Sequence, residues 1–181
     1  MTTPARTHEI HPALDTPLLH DLISDRSPLW TPADLRTLTS TVAARLRAPL
    51  TEAAEFTEPK RWWARLALTD EVELWLLTWL PGQRTRPHDH GGASGSFTVL
   101  LGELAETYRY PQGPIRHRLH KTGAALGFGQ GRAHQVQNLG TTPAASVHAY
   151  SPPLVETRQY TSLRDVPHEI PALPHPRGPH Q

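Results

Sequence analysis

The chain of 181 residues contains no cysteine. Disulfides, iron–sulfur clusters, thiolate–zinc sites and cysteine nucleophiles are all excluded on that ground. It also lacks an excess of charge of either sign. Lys plus Arg number 18 against 17 Asp plus Glu, a formal net charge of +1, so there is no electrostatic case for nucleic acid or an anionic membrane as partner. Long apolar runs are missing as well. Nothing approaches the roughly 20 residues that span a bilayer, and the opening MTTPARTHEIHPALD has no hydrophobic stretch of a signal peptide. The expectation is a soluble, cytoplasmic protein. Apolar residues make up only 37%, and the 19 prolines crowd toward the ends, so the folding core should be shorter than the chain. What the sequence does have is twelve histidines.

The first 50 residues read as helical. In PALDTPLLHDLIS, Leu14, Leu18, Leu19 and Ile23 form a rough apolar stripe. Thr31-Pro32-Ala33-Asp34 is a helix start, with an N-cap threonine, a proline at the first helical position and an acid at the third. Leu35, Leu38, Val42, Leu46 and Leu50 continue one face. The grammar changes near Arg61. Short β-rich segments (62–68, 72–80, 95–101, 104–110, 116–121, 134–138 and 146–150) alternate with Gly/Pro turns, the pattern of an antiparallel sandwich or barrel. Trp75, Trp79, Phe97, Leu100 and Phe128 are expected in its core. The expected organisation is a helical segment over 1–58, a barrel over 59–166 and a proline-rich tail over 167–181. His168, His175 and His180 fall in the tail, and His117 and His120 lie three apart on a strand. None of these five is expected as a ligand.

The sharpest local signal is Pro87-His88-Asp89-His90-Gly91-Gly92. Residues two apart on an extended segment project from one face about 6–7 Å apart, which lets His88 and His90 converge on one metal. About 45 residues on, a glycine-rich stretch, Gly127-Phe128-Gly129-Gln130-Gly131, delivers a third histidine, His134, followed four residues later by Asn138. Two such boxes in this order resemble the two motifs of the cupin superfamily, which implies a small β-barrel with a metal in its mouth. The usual cupin glutamate after the second histidine is absent, so the ligands would be three neutral imidazoles: His88, His90 and His134. They leave a divalent metal its full charge and open positions for an anionic chelating substrate. Ligand type alone suits iron, zinc, copper or nickel, so a three-histidine zinc hydrolase is a rival on ligands only.

The segment Ser146-Val147-His148-Ala149-Tyr150-Ser151-Pro152-Pro153 places a hydroxyl, an imidazole and a phenol at period two on one face, a ready hydrogen-bond relay. Together the HDH, H-x-V-x-N and S-x-H-x-Y-S-P-P patterns resemble the type I cysteine dioxygenases, the thiol dioxygenase branch of the cupins, over about Arg61 to Pro153. The resemblance implies a mainly β, cupin-type double-stranded β-helix or jelly roll with N-terminal helices. It implies mononuclear non-haem Fe(2+) on His88, His90 and His134, with L-cysteine and O2 converted to cysteine sulfinate. It further implies a Ser146-His148-Tyr150 relay, with Tyr150 also at the substrate, and a cis bond, if any, at Ser151–Pro152. The cysteine that animal members link to this tyrosine is replaced by Gly95, as in bacterial members. The family's carboxylate-reading arginine matches Arg65 in Trp63-Ala64-Arg65, with Arg61 as the second choice. Alternatives are a dioxygenase for 3-mercaptopropionate or another small thiol, and a non-catalytic cupin that binds a ligand or metal. Arg84 and Arg86 either rim the pocket or are simply solvated. A monomer is expected.

Overall fold

The structure, a computed structural model, describes residues 7–24, 30–154 and 157–169. Most of the tail over 167–181 lies outside the described residues, including His175 and His180. Two antiparallel sheets face each other, which is the expected mainly β, cupin-type barrel with helices packed against it. The larger sheet is built from β1 (Thr7–Ile10), β2 (Trp63–Thr69), β3 (Glu73–Trp79), β5 (Ser94–Leu101), β8 (Ala125–Phe128) and β10 (Ala144–Ser151), in the order β1-β2-β3-β10-β5-β8. The smaller sheet is β11-β4-β9-β6-β7, from β4 (His88–Asp89), β6 (Glu103–Arg109), β7 (Arg116–Lys121), β9 (Ala133–Gln137) and β11 (Arg158–Gln159).

Three helices, α1 (Pro17–Ile23), α2 (Pro32–Arg45) and α3 (Arg47–Ala53), cover the outer face of the larger sheet. The start of α2 is as the sequence predicts. The Thr31 side chain accepts from the Asp34 N–H while the Asp34 carboxylate accepts from the Thr31 N–H, with Pro32 in the first turn. Such a cap contributes about 1 kcal/mol. Leu35, Leu38, Val42, Leu46 and Leu50 are buried against Leu74, Leu76, Ala145, Val147 and Ala149 of the sheet. Gly127 lets α2 come close, because a Cβ there would lie 2.2 Å from the Pro32 carbonyl oxygen.

Three elements differ from the sequence expectation. Pro12 to Ser24 splits into a 3₁₀ turn (Pro12–Leu14) and α1, since Pro17 opens a new helix capped by Thr16. Residues 7–10, read as part of a helical region, form β1 and pair with β2. The glycine-rich stretch over 127–131 begins as strand β8 and turns only after Phe128. The cis peptides are Glu58–Pro59 and the expected Ser151–Pro152.

The all-buried strand β10 positions the site. Its alternation sends Ala145, Val147 and Ala149 to the helices and leaves Ser146, His148 and Tyr150 facing the lumen. On neighbouring β3, Leu74 and Leu76 follow the first set, while Trp75, Leu77 and Trp79 follow the second.

Candidate metal centre

His88 and His134 sit opposite each other on β4 and β9, and His90 lies just past β4. The ring centroids form a near-equilateral triangle, at 5.0 Å for His88–His90, 4.8 Å for His88–His134 and 4.9 Å for His90–His134. The candidate ligand nitrogens all lie within 4.8 Å of one another. Small ring rotations would bring them to the ~2.0–2.2 Å that imidazole nitrogen keeps from a first-row metal.

Hydrogen-bond partners decide which nitrogen each ring offers. His88 Nδ1 is 2.8 Å from the Arg86 carbonyl oxygen, which can only accept, so the ring proton is on Nδ1 and the Nε2 lone pair is free. His134 Nδ1 lies 2.7 Å from Glu106 Oε1, an acceptor as well, and the same reasoning frees its Nε2. His90 Nε2 is buried without a hydrogen-bond partner. Burial pushes His88 down to about 3 and His90 well below the ordinary imidazole range, so both rings are neutral lone-pair donors near pH 7. Three imidazole nitrogens within 4.8 Å of one another, two of them on rings that burial keeps neutral, fit a divalent cation.

Sequence reading missed what lies behind the ligands. Glu106 on β6 is fully buried and takes four hydrogen bonds. His134 Nδ1 and Arg132 Nε donate to one oxygen, and Arg132 Nη2 and His120 Nε2 to the other, at 2.7–3.0 Å. Burial alone would raise this carboxyl. The bonds from His120, His134 and Arg132 outweigh it and hold Glu106 well below the usual carboxylate range. His120 is thus no candidate ligand but part of the frame that orients one. Asp89, between the two histidines, points the other way. It accepts from the Gly91 N–H and from the Tyr160 hydroxyl, tying the HDH segment to β11 and its flank.

The lumen face of β10 carries the expected relay. Ser146 Oγ is 2.8 Å from His148 Nε2, and His148 Nδ1 is 3.2 Å from the Tyr150 hydroxyl. Trp79 extends the row, its indole N–H donating to Ser146 Oγ at 2.9 Å. Ser146 Oγ accepts from Trp79 and keeps both a hydrogen and a second lone pair for His148 Nε2. Burial keeps that ring neutral with one proton; when Ser146 donates to Nε2, that proton sits on Nδ1 and reaches the phenol oxygen. The Tyr150 hydrogen is then left for the cavity. Burial also raises the Tyr150 phenol above its ordinary value, which keeps it a protonated donor. The Tyr150 ring stacks on His90 with centroids 4.9 Å apart.

Both His88 and His134, and Tyr150 and His148, open on one cavity of about 480 Å³. Its wall also includes Arg61, Trp63, Trp75, Trp79 and Leu77. Arg65, expected at the substrate carboxylate, stands apart from this wall. It does not line the cavity: its guanidinium is paired to Glu9 of β1 and Glu73 of β3. Arg61, the second choice, does line the cavity. Its guanidinium carbon lies 4.1 Å over the Trp79 ring, and its Nη1 is buried with no partner. Trp75 also departs from the core role expected of it, because it is half-buried and forms part of the cavity wall. Trp79, Phe97 and Phe128 are core residues as expected, and Leu100 packs on the helix side.

A family model described as Cysteine dioxygenase type I matches residues 43–163. Solved structures similar to this chain include TT1209 from Thermus thermophilus, at 24% identity and TM-score 0.50, covering 57% of this chain and 93% of that one. A protein with a double-stranded β-helix domain from Klebsiella pneumoniae subsp. pneumoniae MGH 78578 aligns at 21% identity and TM-score 0.51, over 61% and 92% of the two chains. Oxalate decarboxylase from Bacillus subtilis aligns at 16% identity and TM-score 0.53, over 61% of this chain and 30% of that one. At these identities the likenesses concern the fold alone.

Proposed function

The chain belongs to the cysteine dioxygenase type I family, and from that premise we propose that it is an iron-dependent thiol dioxygenase acting on a small carboxylate-bearing thiol, with L-cysteine as the first candidate. The observation that carries this reading is one cavity holding two of the three clustered histidines, the relay tyrosine and an arginine whose buried Nη1 has no hydrogen-bond partner. In the reaction both atoms of O2 are transferred to sulfur. The sulfur loses four electrons, O2 gains four, and the thiol becomes a sulfinic acid.

His88, His90 and His134 would hold the iron through their Nε2 atoms. Bound there, Fe(2+) supplies the redox chemistry that joins O2 to a thiolate. The rest belongs to the protein. Arg61 offers its free Nη1 to the substrate carboxylate, a charge-assisted pair worth more than a neutral one. Tyr150 directs its hydroxyl hydrogen into the cavity, held in aim by His148, Ser146 and Trp79. It hydrogen-bonds the substrate carboxylate or the oxygen being transferred, and the relay behind it can replace a proton it gives up. Trp75, Leu77 and Trp79 give the cavity an apolar wall.

The test is oxygen uptake and sulfinate formation by iron-loaded protein given cysteine, 3-mercaptopropionate and cysteamine. Cysteine is expected to yield sulfinate with one O2 consumed per thiol, and cysteamine, lacking the carboxylate, to be a poor substrate. His134→Ala should lose most bound iron and nearly all turnover. Tyr150→Phe should keep iron and thermal stability while turnover falls and some oxygen is consumed without product. Full iron occupancy in His134→Ala, or a native rate with tight coupling in Tyr150→Phe, would overturn the assignment of those residues.

A further inference from the structure

We infer that the outer part of the cavity is a second anion-binding position, so that the substrate class this site fits best is a thiol bearing two carboxylates or equivalent anionic groups. This rests on the thiol dioxygenase reading for the sulfur, and on the cavity alone for the anions.

Size is the first argument. Even at the ~30 Å³ per non-hydrogen atom that a water molecule takes up, the seven heavy atoms of cysteine fill about 210 Å³. That is less than half of the cavity's volume of about 480 Å³.

Charge is the second. Arg61 stands in the cavity wall, and Arg84 and Arg86 stand exposed at its rim. Among the described lining residues there is no aspartate or glutamate. The whole chain balances 18 basic against 17 acidic residues, so among the described residues this lining is a local segregation of charge. Neither Arg84 nor Arg86 has a side-chain hydrogen bond or ion pair among the described residues.

The rim is also held in place. Thr85 lies between the two arginines and is bonded to β9 three times, its N–H donating to the Val136 carbonyl, its Oγ1 accepting from the Val136 N–H and its carbonyl accepting from Gln135 Nε2. Arg84 bridges Gln137 through the backbone, and the Arg86 carbonyl accepts from His88. Arg84 and Arg86, two residues apart, both line the cavity. Across the opening, Trp63, Trp75, Leu77 and Leu154 supply an apolar wall for a carbon chain joining the two anionic ends. A larger groove of about 1030 Å³ shares Arg84 and Arg86 and adds Arg164 and His117, again with no acid among its described lining residues.

The experiment is calorimetric titration of the iron-loaded protein, without oxygen, using sulfur-free probes: succinate, glutarate and adipate against butyrate. At least one diacid should bind about tenfold tighter than butyrate at low salt, with the difference shrinking as salt screens the exposed rim. In the Arg84→Gln/Arg86→Gln double variant the diacid-to-monoacid ratio should fall roughly three- to tenfold. Correspondingly, 2-mercaptosuccinate should exceed 3-mercaptopropionate in kcat/KM of sulfinate formation. Diacids that bind no tighter than butyrate, or a ratio unaltered in the double variant, would overturn the inference even if cysteine is oxidised. A diacid preference that falls in the double variant, with no sulfinate from any thiol, would leave the anion position standing and sink the dioxygenase reading instead.

Discussion

Two arginines four residues apart have opposite fates. Arg61 keeps an unpartnered Nη1 in the cavity wall, whereas Arg65 is neutralised by Glu9 and Glu73. Arg61→Gln is therefore expected to raise KM for cysteine about 10- to 100-fold, the range for losing a hydrogen bond to a charged group. Arg65→Gln should leave KM near native and lower the melting temperature, since it strips a partner from the buried Glu73. Steady-state kinetics and thermal melts on the two variants separate these outcomes; a KM effect confined to Arg65→Gln would return the anchor role to that residue. Gly95 is equally specific. It lies opposite Tyr150 on the paired strand, and a Cβ there would stand 2.5 Å from Phe128 Cζ and 3.0 Å from Tyr150 Cδ1. The site has no room for a side chain at the position where a cysteine would crosslink. Gly95→Ala should cost about 1–3 kcal/mol by overpacking and reduce turnover by displacing the Tyr150 ring, read by denaturant melts beside activity. Unchanged stability and rate would contradict that packing.

Between elements, the tightest coupling joins β6, β7 and β9 through one carboxylate. Glu106 from β6 receives His120 from β7, and Arg132 with His134 from β9 and its entry turn. Glu106→Gln keeps the shape but puts an amide where four donors converge, leaving Arg132 without its counter-charge. Removing one member of such a buried pair costs about 3–5 kcal/mol, and losing the group that orients a metal histidine costs about 10- to 100-fold in metal affinity. Chemical denaturation and iron titration of Glu106→Gln should show both losses together. A variant of native stability that bound iron as tightly as the native chain would show that the carboxylate is not what orients His134.

Across the whole molecule, the neutral buried imidazoles make stability depend on pH. Burial holds His88 near 3, and His90 and His148 well below their unfolded value of 6.5. Below about pH 6.5 the unfolded chain binds protons that the folded chain refuses, so stability falls as pH falls. Glu106 adds to this at lower pH. Its folded carboxyl titrates below the ordinary 4.5, so its contribution is present above that value and is lost on further acidification. The metal-free protein should show a melting temperature that declines steadily from pH 7 to 5; a flat profile over that range would mean these rings are protonated in the folded state. No helix among the described residues is long and apolar enough to cross a membrane.

Short-range pattern was enough to make the barrel, the capped helix α2, the three clustered histidines and the Ser146-His148-Tyr150 row legible in the sequence. Each of these depends on residues two, three or four apart, and period-two alternation on β10 is the same whichever strands flank it. The third histidine was reached because a second glycine-flanked box announced it. Arg65 is held off the cavity by partners that local pattern does not reveal: Glu9 comes from a strand 56 residues away, in a stretch that reads as helical, and pairs with Arg65 only once β1 joins the sheet. Glu106 stood unremarked on β6 for the same reason. Its meaning comes from Arg132 and His134, 26 and 28 residues on, and no local signal marks a glutamate that will be buried among donors. Alternation along a strand is dictated by backbone geometry and is written in the sequence. Which charge neutralises which is dictated by strand order, and only the closed barrel decides it.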